Sequence, residues 1–111
     1  MESKRKPTYQ EITLIELLIK KASITVSDHW KERILVCPMD DGGMGSLYLS
    51  SKEETDEGRM MGKQVSEFQF VDKDGVDVLA SLNVDTLGNL YELEIWKTDF
   101  SKLIQLPEFR V

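Results

Sequence analysis

The chain has one cysteine and one histidine in 111 residues. A single cysteine excludes an intramolecular disulfide framework. A single imidazole, His29, excludes a histidine-rich metal site. No apolar run approaches the ~20 residues that a membrane helix needs. Positive charge is also scarce: 14 Lys and Arg stand against 20 Asp and Glu, for a net charge of −6. Nucleic-acid binding needs clustered cations against phosphate, so no direct nucleic-acid contact is expected. Met1 to Pro7 is charged and lacks the apolar stretch of a secretory signal, so a cytoplasmic location without membrane contact is expected. No repeat, low-complexity tract or linker divides the chain, and residues 1–111 are read as a single domain.

At 41% hydrophobic residues the chain can still build a core. The first ordered signal is Thr8 followed by Glu11, a capping box just after Pro7. Ile12, Ile15, Leu18 and Ile19 then recur at helical spacing, with Leu14 and Leu17 widening the stripe. The pattern predicts an amphipathic helix over Tyr9–Ala22, with Lys20 and Lys21 suiting its C-terminal end. Ser23 to Trp30 is ambiguous between a short extended piece and a turn. Arg33–Cys37 predicts a strand stopped by Pro38, and Ser46–Ser50 a second one with Leu47 and Leu49 on one face.

The last third reads as an antiparallel meander. Lys63–Val71 places Phe68 and Phe70 on one face. A turn at Asp72–Gly75 leads to Val76, Val78, Ala80, Leu82 and Val84, the clearest alternation in the chain. Leu90–Trp96 turns Tyr91, Leu93 and Ile95 inward and Glu92 and Glu94 outward. Asp99–Ser101 is expected to start a short helical turn that ends by Pro107. The fold class is therefore α+β: an N-terminal amphipathic helix packed on a mainly antiparallel sheet of about five strands.

Candidate sites are few. Asp40 and Asp41 precede Gly42-Gly43-Met44-Gly45. Two carboxylates and three glycines could hold a cation or face a partner; the ordinary reading is a tight strand connection whose glycines take positive φ. No phosphate-loop pattern follows. Asp72-Lys73-Asp74-Gly75 fails as a calcium loop, since position 1 would be Phe70 and the closing acid Ser81; it reads as a hairpin turn. Cys37 and His29 form the only Cys–His combination, and Cys37 sits in an apolar strand that favours an inert thiol. Glu53, Glu54, Asp56 and Glu57 form an acidic cluster, ordinarily a solvated loop, that could steer a basic partner. Glu92 and Glu94, with Asp77 on the neighbouring strand, extend such a surface. Two carboxylates spaced by two also suggest a glycosidase-like pair, although a polar stripe is normal on an open sheet. Trp30, Trp96, Met44, Met60 and Met61 are candidate contact anchors, against ordinary packing at the core edge.

Cys37-Pro38-Met39-Asp40-Asp41-Gly42-Gly43-Met44-Gly45-Ser46-Leu47 and Leu93-Glu94-Ile95-Trp96-Lys97-Thr98-Asp99-Phe100-Ser101 resemble segments of a family of small, uncharacterised bacterial proteins. The resemblance covers nearly the whole chain and implies no catalytic residue. In size and acidity the chain also resembles the immunity proteins paired with secreted bacterial toxins, including those of contact-dependent growth inhibition.

Abundant carboxylates beside few reactive groups favour binding over chemistry. The expectation is a non-enzymatic acidic protein, needing no cofactor or metal, that neutralises a basic partner such as a toxin nuclease domain. Asp40, Asp41, Glu53, Glu54, Asp56 and Glu57 would supply charge, and Met44, Met60 and Trp96 anchoring. The alternatives are a carboxylate- or metal-dependent hydrolase at Asp40 and Asp41, and a homodimer formed through an exposed strand edge.

Overall fold

The computed structural model describes residues 3–52 and 57–108. Helix α1 spans Tyr9–Ala22 as the periodicity predicts. The capping box is complete: Glu11 N–H donates to Thr8 Oγ1, and Thr8 N–H donates to Glu11 Oε1 at 2.8 Å. Arg5 clamps the same carboxylate with two nitrogens at 2.8 and 2.9 Å. Ser23 closes the helix in the left-handed region at φ 55°. The ambiguous stretch ends in a single helical turn, α2, at Trp30–Arg33.

Five strands follow: β1 Ile34–Pro38, β2 Leu47–Ser51, β3 Met61–Val71, β4 Asp77–Asp85 and β5 Leu90–Lys97. They form one antiparallel sheet in the order β1-β2-β5-β4-β3. Pro38 ends β1 at an edge, where its missing N–H costs no ladder bond. The far side of β1 meets the N-terminal segment at a two-bond bridge between Arg5 and Val36. On the other edge β3 carries two register shifts, at Met61/Lys63 and Gln64/Ser66.

The helix covers one face. Leu14, Ile15, Leu18 and Ile19 share a buried cluster with Val36, Leu47, Leu49, Val78, Ala80, Leu82, Leu93 and Ile95. Removing such a Leu or Ile side chain from water is worth roughly 1.5–3 kcal/mol. Ser66 Oγ locks β3 to the helix by donating to Leu18 O at 2.7 Å. Ile24, Val26, Trp30, Leu103 and Leu106 close the rim of this core.

Two expectations fail. Tyr91 does not join the core; the register shifts between Asn83 and Val84 on β4, and Tyr91 lies half-buried beneath the Arg59 guanidinium, 5.0 Å from its ring centre. No helical turn forms at Asp99–Ser101. Phe100 N–H bonds back to Lys97 O in a tight turn with Phe100 at φ 62°, and the tail then runs without regular structure. The tail bonds to β-turn and loop groups instead, which removes any need for helical hydrogen bonds of its own.

Candidate functional site

The Cys37–Leu47 and Leu93–Ser101 segments meet in space. Ser46 Oγ accepts from Ile95 N–H at 2.8 Å and donates to Ile95 O at 3.2 Å. Next to it, Leu47 pairs with Leu93 and Tyr48 with Glu92, the only register pairs between β2 and β5. Asp41 is absorbed by its own loop, its Oδ1 accepting from Met44 N–H and its Oδ2 from Ser46 N–H. The Asp-Asp-Gly-Gly-Met-Gly loop is therefore a docking point for the tail. Gly43 O accepts from Leu103 N–H, and a Cβ on Gly43 would sit 3.0 Å from the Lys102 side chain. Asp40 stays exposed and Met44 half-buried.

The tail is held by a buried ammonium that sequence patterning did not identify. Lys97 has no exposed surface, and its Nζ donates to Asp72 Oδ2, Asp74 Oδ2 and Lys102 O at 2.8, 2.7 and 3.0 Å. Asp72 also accepts from Ile104 and Gln105 N–H groups at 2.8 and 3.0 Å. Burial alone would raise the Asp72 pKa, but these N–H groups and the ammonium hold it down at about 2. For Lys97 burial likewise opposes the charge, and the two carboxylates outweigh it, so its pKa is raised.

Arg59 is a second unpredicted cation. It sits where β2 and β5 part: Nη1 donates to Leu49 O at 2.7 Å, Nη2 to Leu90 O at 2.6 Å and Nε to Asp85 Oδ2 at 3.0 Å. Burial pushes the Asp85 carboxyl up, but N–H donors from Asn89 and Leu87 and the Arg59 guanidinium pull it below the usual range.

The expected site residues do not gather. Asp40, Asp41 and Met44 stand at the Ile95 end of β5, whereas Met60, which is 63% exposed, adjoins Thr86 at the Leu90 end. Glu57 is exposed near that second end, and Glu53, Glu54 and Asp56 lie outside the described residues. A cleft of about 1170 Å³ runs between the two ends, but Lys4, Arg5, Arg59 and Lys102 line it together with Glu11, Asp40 and Asp41, so its charge is mixed. His29 is exposed with Nδ1 3.2 Å from Glu32, and Cys37 is buried in β1. Among the described residues no cluster of three or more His, Cys, Asp or Glu side chains could hold a metal.

The sheet face away from α1 adjoins this cleft, since Tyr48 belongs to both. Register places Gln64, Glu67, Gln69 and Val71 of β3, Asp77, Leu79, Ser81 and Asn83 of β4, Glu92, Glu94 and Trp96 of β5, and Tyr48 of β2 on it. These positions include four carboxylates and no Lys or Arg. Asp77 is on the neighbouring strand and the same face, but it does not sit beside Glu92 and Glu94 where the sequence reading puts it: it pairs with Val71, while Ser81 and Asn83 face Glu94 and Glu92. Asn83, 2% exposed, donates from one nitrogen to Glu92 Oε1 at 3.2 Å and Glu94 Oε1 at 2.7 Å. Tyr48 and Trp96 are 49% and 45% exposed, and Phe100 lies 6.2 Å from Trp96, ring centre to ring centre.

Fold and surface together define an α+β domain with one sheet face filled by a helix and the other left acidic and open. The chain belongs to the family described as a domain of unknown function (DUF6984), whose model matches residues 4–107. No curated protein matches it, and no solved structure matches it. No helix among the described residues is long and apolar enough to cross a membrane.

Proposed function

We propose that the protein works by binding: it holds a basic protein partner against its open sheet face and performs no chemistry of its own. The partner class we assign is the nuclease domain of a bacterial toxin, with neutralisation of that toxin as the outcome. One observation carries this reading. The outward positions of β3, β4 and β5 bear Glu67, Asp77, Glu92 and Glu94 with no Lys or Arg among them. A face of one sign raises the encounter rate with a cationic partner, and exposed aromatics beside it lengthen the bound state. A nuclease that grips phosphate with Lys and Arg offers the complementary surface.

The test is affinity purification of the tagged protein from its native cells at low and high salt. The expected result is a basic partner whose capture falls steeply with salt and whose gene adjoins this one. Recovery of no basic partner would overturn the reading. Hydrolysis of any small molecule by the purified protein would overturn it as well.

A further inference from the structure

Beyond the binding reading, and independent of it, we propose that the outer edge of β3 from Glu67 to Val71 pairs with the same edge of a second copy of this chain. The pairing is antiparallel about a two-fold axis at Gln69, and it joins two five-stranded sheets into one.

The backbone decides which groups face outward. Asp72 N–H bonds to Val76 O, and Thr98 N–H bonds to Asp77 O. Val76 therefore faces the β3 side of the hairpin, and Asp77 faces β5. Bonding direction alternates from residue to residue along an antiparallel strand. Val78 and Ala80 accordingly bond towards β3, where they pair with Phe70 and Phe68. Glu67, Gln69 and Val71 then direct both N–H and C=O away from the sheet. All three residues are exposed, Val71 by 61%. Among the described residues, no backbone outside the sheet bonds to these groups.

The rest of the sheet margin is guarded. The N-terminal segment bridges β1 at Val36, and Pro38 ends that strand. The first half of β3 carries both register shifts, with Val65 as the extra residue at the second. Bulges twist an edge out of line for further pairing. From Ser66 to Val71 the ladder is regular, without Pro or Lys, and Glu67 is its one charge. An edge left bare in this way is a template for another strand.

The strand that fits is its own copy. With the axis at Gln69, Glu67 opposes Val71 of the second copy, Gln69 opposes Gln69, and Val71 opposes Glu67. Every member of these pairs is an outward-bonding position, so each pair exchanges two hydrogen bonds. No like charges meet. Between them, on the helix side, Phe68 falls opposite Phe70 of the second copy, and aromatic cross-strand pairs stabilise a ladder. Moving the axis to Phe68 sets Val71 against the bulge at Val65, and moving it to Phe70 sets Glu67 against the turn at Lys73. Centring on Glu67 brings two carboxylates face to face. The axis stands perpendicular to the sheet, so both helices cover one side and both open faces stay clear on the other.

Sedimentation equilibrium of the full chain, from micromolar to millimolar concentration, should show a monomer–dimer equilibrium with the dimer at twice 12.7 kDa. Gln69→Lys sets two ammonium groups against each other at the axis and should weaken the dimer at least about 10-fold. Gln69 is exposed, so the urea midpoint of the variant should match the parent's at a concentration where both are monomeric. Gln69→Glu should dissociate in the same way, and an equal mixture of the two variants should restore a heterodimer. Hydrogen exchange on the parent needs no substitution: N–H protection at Glu67, Gln69 and Val71 should grow with concentration, while Phe68 and Phe70 stay protected throughout. A parent chain that remains monomeric at millimolar concentration would overturn the proposal. So would a Gln69→Lys dimer as tight as the parent's, or a mixture that associates no better than either variant alone. Concentration-dependent protection confined to β1 or to the open face would move the contact elsewhere and overturn it. Protection of the three N–H groups that requires a different protein would give the edge to another strand, and would overturn it as well.

Discussion

Lys97 Nζ lies 2.8 Å from Asp72 Oδ2, and neither side chain has any exposed surface. The pair joins the end of β5 to the turn before β4, and through Ile104 and Gln105 it fastens the tail as well. Lys97 stands at an inward position opposite Val78, where a hydrophobic residue would ordinarily go. Buried charge of this kind is tolerable because each partner's hydrogen bonds are filled. Among the described residues, no buried side-chain nitrogen or oxygen lacks a partner.

Removing one partner should therefore cost more than removing both. Asp72→Ala leaves the ammonium under-paired and orphans two backbone N–H groups of the tail. We expect a loss of roughly 3–5 kcal/mol in urea unfolding. Asp72→Ala combined with Lys97→Met should recover part of that loss. A double variant less stable than the single one would contradict the account.

Acid should loosen the same junction. Asp72 has a folded pKa of about 2, below the ordinary carboxylate value, and Asp85 and Glu11 are also lowered. A group whose folded pKa is depressed adds stability above its unfolded pKa and loses it as pH falls. Stability should be level above pH ~5 and drop between about pH 4 and 2. Asp72→Asn should flatten that drop as well as lower the plateau. Urea midpoints measured across pH would read both effects. A decline of equal steepness in the variant would show that Asp72 is not its source.

Much of the fold was legible because its signals are local. Thr8 and Glu11 announce the helix start, and Val78, Ala80, Leu82 and Val84 announce β4 by period alone. The two structural cations were not legible. Burial of Lys97 depends on Asp72 and Asp74, more than twenty residues away, and on a tail with no pattern of its own. Arg59 lies in a glycine- and acid-rich loop, and two of its acceptors are backbone carbonyls that no side-chain pattern reveals. The open face was half visible. Glu92 and Glu94 alternate outward as expected, but Tyr48 joins them only because β2 pairs with β5, a non-consecutive neighbour. Residue type alone marks Met44, Met60 and Trp96 as anchors, and type does not report which end of a sheet a residue occupies.

Glycines in the chain should differ sharply in tolerance. Gly62 sits at a register shift, and a Cβ there would lie 2.5 Å from Asp85 O and 2.7 Å from Asp85 C. Both atoms are backbone, so β3 would have to move off β4. Gly62→Ala should cost about 2–3 kcal/mol, a close contact forced on packed backbone. Gly42→Ala meets nothing within 4 Å but keeps a φ of 74°, so it should cost only about 1 kcal/mol. Thermal unfolding of the two variants side by side would test the order. Equal losses would show that β3 and β4 relax around the added carbon at Gly62 and that crowding there is not costly.

Arg59 should resist the exchange that charge alone permits. Its three nitrogens meet three acceptors on separate elements: Leu49 O on β2, Leu90 O on β5 and Asp85 Oδ2 at the end of β4. The β2–β5 ladder has register pairs only at Leu47–Leu93 and Tyr48–Glu92, so the guanidinium takes over where strand pairing stops. A lysine at 59 keeps the charge but has one nitrogen at the end of a flexible stem, and it cannot reach all three acceptors in fixed geometry. Arg59→Lys should lose roughly 2–3 kcal/mol, close to the loss in Arg59→Ala, because in both variants buried carbonyls go unpaired. Hydrogen exchange should rise first in β2 and at the start of β5, while α1 and the β3–β4 pair keep their protection. If Arg59→Lys matched the parent in stability and exchange, the role of the side chain would reduce to its ion pair with Asp85.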